Sequence, residues 1–570
     1  MTSLFYPLWP ELVLITVACI LFLLGAISSA TARRWCPVLA LAALITVFAG
    51  ILFLGGNSRG TAYAQDTVFS GDLALYIKVL ASGVAMLFVL LSWPTNDART
   101  GNSALDVGHE VGEFFALLLL AIAGIFLVAS ANDIILLFLG IELASIPTYI
   151  MVSISRPLPV AQEAGVKYFF LGAMAAAVML FGFSYLYGTT GSTSLVEIRE
   201  HYRHSLAAGI SAWELMAVIL LLMGFAFKLA AVPLHAYAGD VYQGAATPVT
   251  ALLAFVPKTA GIVAVIKILQ VVSGGDWAPP DVIVKLLWVM AVLTMTFGNV
   301  LGLIQQNIKR IFAYSSVAHS GYMLVALTAL LAAHGMPNAA EIQREAIAAV
   351  LFYLCAYGIM NTGAFGVLML LPGRTDTHGR HDADGNTLPT AGSAETLEDV
   401  AGQGRRHIGL GLAMAVCCFS LTGIPLTIGF MGKVLLVQPA FPIMNDPSHP
   451  YSHMMWWLVV LTMINAAVSA GYYLKIVAYM FLRPDASESS IAGAPQIARP
   501  LFYSRPVSLT VLLSVVGTIC FGVIIPATNA LSERVKVAAK SIVDDDAMPA
   551  NHRADNKSAK PAAVAEAAAR

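Results

Sequence analysis

Residues 224–261 read GFAFKLAAVPLHAYAGDVYQGAATPVTALLAFVPKTAG, an apolar stretch that nevertheless holds Lys228, Lys258, His235 and prolines at 233, 248 and 257. A charge at the centre of a bilayer costs at least ~2.5–3.5 kcal/mol on insertion scales, so such residues face a bundle interior or water and often serve ion pathways. Pro233 removes one amide and its ring clashes with the carbonyl of Leu229, which predicts a break or kink in the helix that carries Lys228. Freed backbone at membrane depth is tolerated where it is buried in protein or lines a cavity. A broken helix between two buried lysines is the layout of a transporter's working centre.

The surroundings support a membrane setting. The chain has 570 residues, 58% of them hydrophobic and 11% charged, with a mean hydropathy of +0.77. These values exclude an ordinary soluble domain and predict an all-α polytopic membrane protein. A net charge of −1 points to neither nucleic acid nor an acidic partner. The cysteines at 19, 36, 355, 417, 418 and 520 fall in or beside apolar runs and form no CxxC, so neither a disulfide framework nor an iron–sulfur site is implied. No GxxxxGK[ST] or strand–GxGxxG–helix pattern is present, so no nucleotide site is expected. The first apolar run, 11–29, has no basic residue before it and is read as a retained helix rather than a signal peptide.

With ~20 apolar residues per crossing, the chain predicts about 14 transmembrane helices. They fall near 11–29, 37–56, 73–93, 113–131, 133–154, 162–187, 212–237, 248–271, 282–304, 310–333, 346–371, 408–438, 455–482 and 507–528. The twelfth, at ~31 residues, would reach ~46 Å as a straight helix against a ~30 Å hydrocarbon core, and Pro425 interrupts it. The seventh and twelfth helices are therefore expected to be discontinuous. Two breaks five helices apart are what an inverted pair of five-helix repeats would produce. The expected organisation is an N-terminal three-helix segment (1–110), a first repeat (111–272), and a second repeat (282–483) with an inserted loop (372–406). A C-terminal helix (484–530) and a polar tail (531–570) follow. Lysine and arginine concentrate in loops after odd-numbered helices, which places those loops in the cytoplasm and both termini on the opposite side. His378, His381, Asp382 and Asp384 offer metal-ligand types, but their scattered spacing fits a solvated loop better.

Four charged residues stand at depth. Glu142 lies ten residues into its helix, in LLFLGIELASIPTYI; Lys228 and Lys258 flank the first break; Lys433, in TGIPLTIGFMGKVLLV, follows the second. Burial lowers a lysine pKa and raises that of a glutamate, while a Glu–Lys contact does the opposite, so a lysine with a movable carboxylate partner makes an adjustable proton carrier. Structural alternatives stand beside this: a snorkelling Lys433, a purely salt-bridging Glu142, and hydrogen-bonded structural roles for His235 and His319. Glu163 and Lys167 suit an i,i+4 surface pair; Lys78 and Lys475 remain open.

KYFFLGAMAAAVMLFGFSYLYGTTGST (167–193), FKLAAVPLHAYAGDVYQGAATPVTALLAFVPKTAG (227–261), IKRIFAYSSVAHSGYML (308–324) and LTGIPLTIGFMGKVLL (421–436) together bring a family into view. The chain resembles the antiporter-like membrane subunits of respiratory complex I, the NADH-quinone oxidoreductase, a family shared with multisubunit cation/proton antiporters and membrane-bound hydrogenases. The resemblance is closest to the subunit N group, the counterpart of mitochondrial subunit 2. It implies a proton relay of Glu142, Lys228, Lys258 and Lys433, with His235 and His319 as further candidates. It also implies flanking membrane subunits as partners in a cell inner membrane. No cofactor or metal is expected on this chain; NADH, flavin, iron–sulfur clusters and quinone are expected in the rest of the complex. An Mrp-type antiporter or hydrogenase subunit is the alternative reading.

Overall fold

The computed structural model describes residues 8–27, 30–55, 64–65, 68–69, 71–94, 110–156, 159–273, 278–371, 380–381, 387–388, 394–484, 504–523 and 525–543. Most of the loop at 372–406 and the tail beyond 543 lie outside the described residues, including His378, Asp382 and Asp384. Among the described residues the chain is helical apart from two antiparallel pairs of two-residue strands, Ala64–Gln65 with Val68–Phe69 and Arg380–His381 with Thr387–Leu388.

The N-terminal segment holds α1 (Trp9–Ala26), α2 (Ala30–Gly55) and α3 (Asp72–Leu91). There follow α4 (Val111–Ser130), α5 (Ile134–Ile154), α6 (Pro159–Thr190), the polar α7 (Leu195–Ala208), α8 (Ala212–Lys228), the short α9 (Ala238–Gly244) and α10 (Thr247–Ser273). The next group is α11 (Asp281–Ile304), α12 (Ile308–Ala332), α13 (Ala339–Leu370), the turn-length α14 (Gln403–Arg406), α15 (Ile408–Thr422), α16 (Ile428–Val437), α17 (Ala440–Met444) and α18 (Ser452–Leu482). α19 (Arg505–Val523) and α20 (Ile525–Val543) are the last described elements. Among the described residues twelve helices are long and apolar enough to cross a membrane. The two broken spans, α8–α9 and α15–α16, bring the crossings to the fourteen expected. α20 runs through the junction between the expected C-terminal helix and polar tail, and it packs Val535, Ala538 and Ala539 inward beside α3 and α13.

The two five-helix units repeat in atomic detail. Gly124 of α4 meets the backbone of Ala144 on α5, and Gly298 of α11 meets Ala318 on α12; a Cβ at either glycine would lie 2.3 or 2.6 Å from the facing nitrogen. Only glycine allows helix backbones so close. Asp133 caps α5 by accepting from Ile135 and Leu136 N–H, and Asn307 caps α12 by accepting from Arg310 N–H. On either side of each cap the chain pairs with a distant loop: Ile134 N–H donates to Thr193 O and Leu195 N–H to Asn132 O, while Ile308 N–H donates to Glu395 O and Leu397 N–H to Gln306 O. Gly124, Asn132, Asp133 and Ala144 thus recur as Gly298, Gln306, Asn307 and Ala318 at one constant offset. Lys267 of α10 reaches the carbonyls of Ala129 and Ala131 at the end of α4, and Lys475 of α18 reaches Gln305 O at the end of α11. An odd number of crossings per unit turns the second unit upside down relative to the first. That is the inverted repeat.

α10 and α12 are buried along their whole apolar length, and α13 nearly so. These three form the centre against which both broken spans lie.

Candidate functional site

The seventh span ends earlier than Pro233 predicts. α8 stops at Lys228, and Ala230 takes a left-handed conformation at φ 52. An L-residue there costs about 1–2 kcal/mol, and such strain collects at functional sites. Proline also biases the residue before it away from helix, so the break spreads upstream. The freed backbone is bonded from neighbouring helices: Val232 N–H donates to Thr294 Oγ1, Ser320 Oγ donates to Leu229 O, and Tyr237 Oη donates to Phe227 O. In the twelfth span Gly423 (φ 88) and Leu426 (φ 72) bracket Pro425. Thr427 then caps α16 through Phe430 N–H. The second half folds back so closely that a Cβ on Gly429 would sit 1.9 Å from Ser420 O. Both prolines are exposed on the surface of this chain, with Leu426 at 71%, rather than enclosed by it.

The first break delivers Lys228 to Glu142. Lys228 Nζ donates to Glu142 Oε1 at 2.9 Å, to Ser145 Oγ at 2.9 Å and to Tyr149 Oη at 3.1 Å. Glu142, Ser145 and Tyr149 lie three or four residues apart on α5 and so share one face. The lysine side chain is 2% exposed and the glutamate 14%, so an ion pair there is desolvated and each charge depends on the other.

Beyond Lys228 lies a cavity with room for about one water. Lys228 and Lys258 both line it, with Tyr168, Tyr237, Tyr242 and Ser316 among the others. Lys258 Nζ donates to Ser316 O and to Ser316 Oγ at 2.7 Å, and it lies 4.7 Å from the centre of the Tyr357 ring. Tyr357 also packs on His319, with ring centres 5.0 Å apart. His319 is buried on α12, one nitrogen against Tyr353 Oη and the other 2.9 Å from Tyr473 Oη. Tyr322 continues the series: its ring is 5.8 Å from His319 and 4.9 Å from Lys433 Nζ. Lys433 donates to Thr422 O, a carbonyl at the end of α15 that the break leaves open.

Five of the six sequence candidates thus lie on one track through α5, α8, α10, α12 and α16. His235 stands apart. It sits within the first break, packed toward Phe297 at 5.9 Å, and its Nδ1 is buried with no partner among the described residues.

Sequence reasoning did not find Ser145, Tyr149, Ser316 or the tyrosines at 322, 353, 357 and 473, because a hydroxyl in an apolar run carries no signal of what faces it. For Ser145, Ser316 and Tyr322 a spacing of three residues from Glu142 or His319 was the available clue; Tyr149, Tyr353, Tyr357 and Tyr473 offered none. It also passed over two ionic clusters. Glu395 binds Arg156 and Lys309 (2.7 Å to Nζ), and Lys309 also donates to Ala245 O at the head of α10. Asp240 on α9 accepts from Arg310 at 2.7 Å and Lys167 at 3.0 Å, the latter shared with Glu163. Burial pushes the Glu395 carboxyl up, but Lys309 and Arg156 together outweigh it and hold the group below its ordinary value of 4.5. A further ion pair that the sequence did not reveal, between Glu11 and Lys78, is treated below.

The family model described as "NADH:quinone oxidoreductase/Mrp antiporter, TM" matches residues 131–467. The chain is 34% identical to an NADH-quinone oxidoreductase subunit N of Myxococcus xanthus, covering 91% of this chain and 95% of that one. It is 32% identical to subunit N of Trichlorobacter lovleyi, covering 90% and 93%. Among solved structures it superposes on a chain of respiratory complex I from Thermus thermophilus with bound aureothin, at TM-score 0.65 and 28% identity over 91% of this chain. Fold, repeat and sequence agree: the chain belongs to the NADH:quinone oxidoreductase/Mrp antiporter membrane family, within its NADH-quinone oxidoreductase subunit N group.

Proposed function

We propose that this chain is itself a proton translocase module, moving protons along Glu142–Lys228–Lys258–His319–Lys433 under the drive of redox chemistry in other subunits. The observation that carries the reading is the Glu142–Lys228 pair beside a water-sized cavity that ends on Lys258. When Lys228 swings from Glu142 toward the cavity, it loses its counter-charge and passes its proton through the cavity water to a neutral Lys258. Each transfer alters the charge felt by the next site, so the groups act as a coupled set. His235, in the wall of the break, would meet water entering there.

NADH, flavin, iron–sulfur clusters and quinone belong, in this reading, to other subunits of the complex in a cell inner membrane. The exposed non-helical backbone around Pro233 and Pro425 supports membrane subunits as direct neighbours, because irregular backbone is not tolerated against lipid. Both chain termini are assigned to the non-cytoplasmic side, from the loop charges.

The test is proton uptake and NADH–quinone turnover in membranes carrying Lys228→Ala, with assembly checked on native gels. Loss of pumping in an assembled complex is expected. Full pumping and turnover would leave only a structural role for the pair.

A further inference from the structure

On the proton-translocation reading, the central track needs a connection to the face where α1 and α3 begin and α4 and α10 end. At that junction Glu11 of α1 and Lys78 of α3 form an ion pair with Oε1 to Nζ 2.7 Å and both side chains 2% exposed. Ser130 at the end of α4 points its hydroxyl at the same Oε1 from 3.5 Å. Glu11 Oε2 is buried and has no partner among the described residues. Lys267 of α10 donates to the carbonyls of Ala129 and Ala131, on either side of Ser130. One turn further along α10, Gln270 is 6% exposed, and both its Oε1 and Nε2 are buried without a partner.

Buried polar atoms left unbonded are rare, and where the site is polar they mark bound water. Here a carboxylate oxygen lies unbonded among three ionisable groups from three helices, and a whole amide lies unbonded one turn further along α10. A structural salt bridge between α1 and α3 would need neither Gln270 nor a free Oε2. Lys267 is nine residues from Lys258 on one continuous helix, about 13 Å at 1.5 Å per residue, a span that a short water chain can bridge.

We infer that Glu11, Lys78, Lys267 and Gln270 form a second, hydrated proton-binding site, joining the N-terminal helices to the first repeat and carrying protons between Lys258 and the outer face. Lys258 is then a branch point: a proton that leaves its ammonium toward the outer face, rather than toward His319, travels by water past Gln270 and adds to Glu11 Oε2. The neutral carboxyl no longer holds the Lys78 ammonium, which turns toward Ser130 and the carbonyls at the end of α4. The proton then departs from Oε2 to outer water, and the carboxylate recaptures Lys78. Lys267 keeps the site from holding a further positive charge, so Lys258 is refilled only after the proton has gone.

The experiment compares Glu11→Gln, Lys78→Gln and the double variant, each in the assembled complex, with Lys228→Ala in parallel. Either single change leaves a lone buried charge and is expected to lower assembly; the double change restores it. For the assembled double variant, protons moved per NADH oxidised should fall to the level of Lys228→Ala. If the double variant pumps like the unmodified complex while Lys228→Ala does not, Glu11 and Lys78 are a structural staple and the inference fails, though the central relay stands. If Lys228→Ala itself pumps fully, the relay reading fails and takes this one with it. Should the double variant not assemble, infrared difference spectra of the unmodified and Glu11→Gln complexes decide: a turnover-dependent protonated-carboxyl band lost in Glu11→Gln supports the site, and its absence from both overturns it.

Discussion

Lys258 Nζ donates to both oxygens of Ser316, and Ser316 is the residue of α12 that stands at the repeat offset from Glu142 on α5. The same position of the two inverted units therefore faces a buried lysine each time, once with a carboxylate and once with a hydroxyl. Among the described residues no carboxylate forms an ion pair with Lys258, and its nearest cation partners are a hydroxyl, a carbonyl and an aromatic face. A buried ammonium beside a carboxylate is compensated, whereas one facing only a hydroxyl, a carbonyl and a ring is not. The asymmetry gives the track a direction, from a site that holds protons to one that releases them.

Ser316→Asp should erase that difference. A carboxylate beside Lys258 would hold the ammonium and stall the track, so pumping should fall further than in Ser316→Ala, which only removes a hydroxyl. Proton uptake by membranes containing each variant, scaled to assembled complex, provides the comparison. Equal losses in the two variants would show that charge at Lys258 does not matter.

Glu142 and Lys228 should behave as a unit. Breaking a buried pair costs about 3–5 kcal/mol because one charge is left alone, so Glu142→Ala and Lys228→Ala should each depress pumping and coupled quinone reduction. Their double variant should cost less than the two singles added. Glu142→Asp keeps the charge and should be milder. Additive losses in the double variant would argue against the pair.

Glu395 should clamp the last part of the inserted loop to α12 and to the turn after α5. Its carboxyl is held below the ordinary value of 4.5, so its contribution is present in full above that pH and disappears as pH falls through the lower folded-state value. Glu395→Gln should lower the melting temperature of the purified complex by a constant amount from neutral pH down to about pH 5, and the gap to the unmodified complex should close below it. A gap that widens with acid would contradict the assignment.

Gly429→Ala tests the second break. The added Cβ would meet Ser420 O at 1.9 Å, so α16 must move away from α15 and carry Lys433 off Thr422 O. Less assembled complex, and impaired pumping in what assembles, is the expected result. Gly409→Ala, where nothing lies within 4 Å, serves as the neutral control.

Orientation is tested by labelling. Single cysteines at Gly392 and Lys560, both outside the described residues, should react from opposite sides of the membrane, with the 372–406 loop cytoplasmic. Reaction of both from the same side would reject fourteen crossings.

Much of the architecture follows from local chemistry. An apolar run of about twenty residues has to be a helix in a bilayer because no water is there to bond its backbone, so fourteen spans could be counted. Proline at 233 and 425 has no amide to give, so two breaks could be named, and Glu142, Lys228, Lys258 and Lys433 drew attention because charge is expensive at depth. What faces what is another matter. That Lys228 meets Glu142 while Lys258 meets Ser316 depends on how α5, α8, α10 and α12 are rotated and offset, set by glycine contacts such as Gly124 on Ala144 and Gly298 on Ala318. The break upstream of Pro233 was decided by Thr294, Ser320 and Tyr237, side chains from helices distant in sequence or from the far side of the turn, which bond the backbone that proline frees. Glu11 and Lys78 lie on different helices with a third between them, and only packing shows that they are partners. Sequence determines where polar groups enter the membrane, because that cost is paid residue by residue; tertiary structure decides which of them share a proton, because that depends on distances of about 3 Å between separate helices.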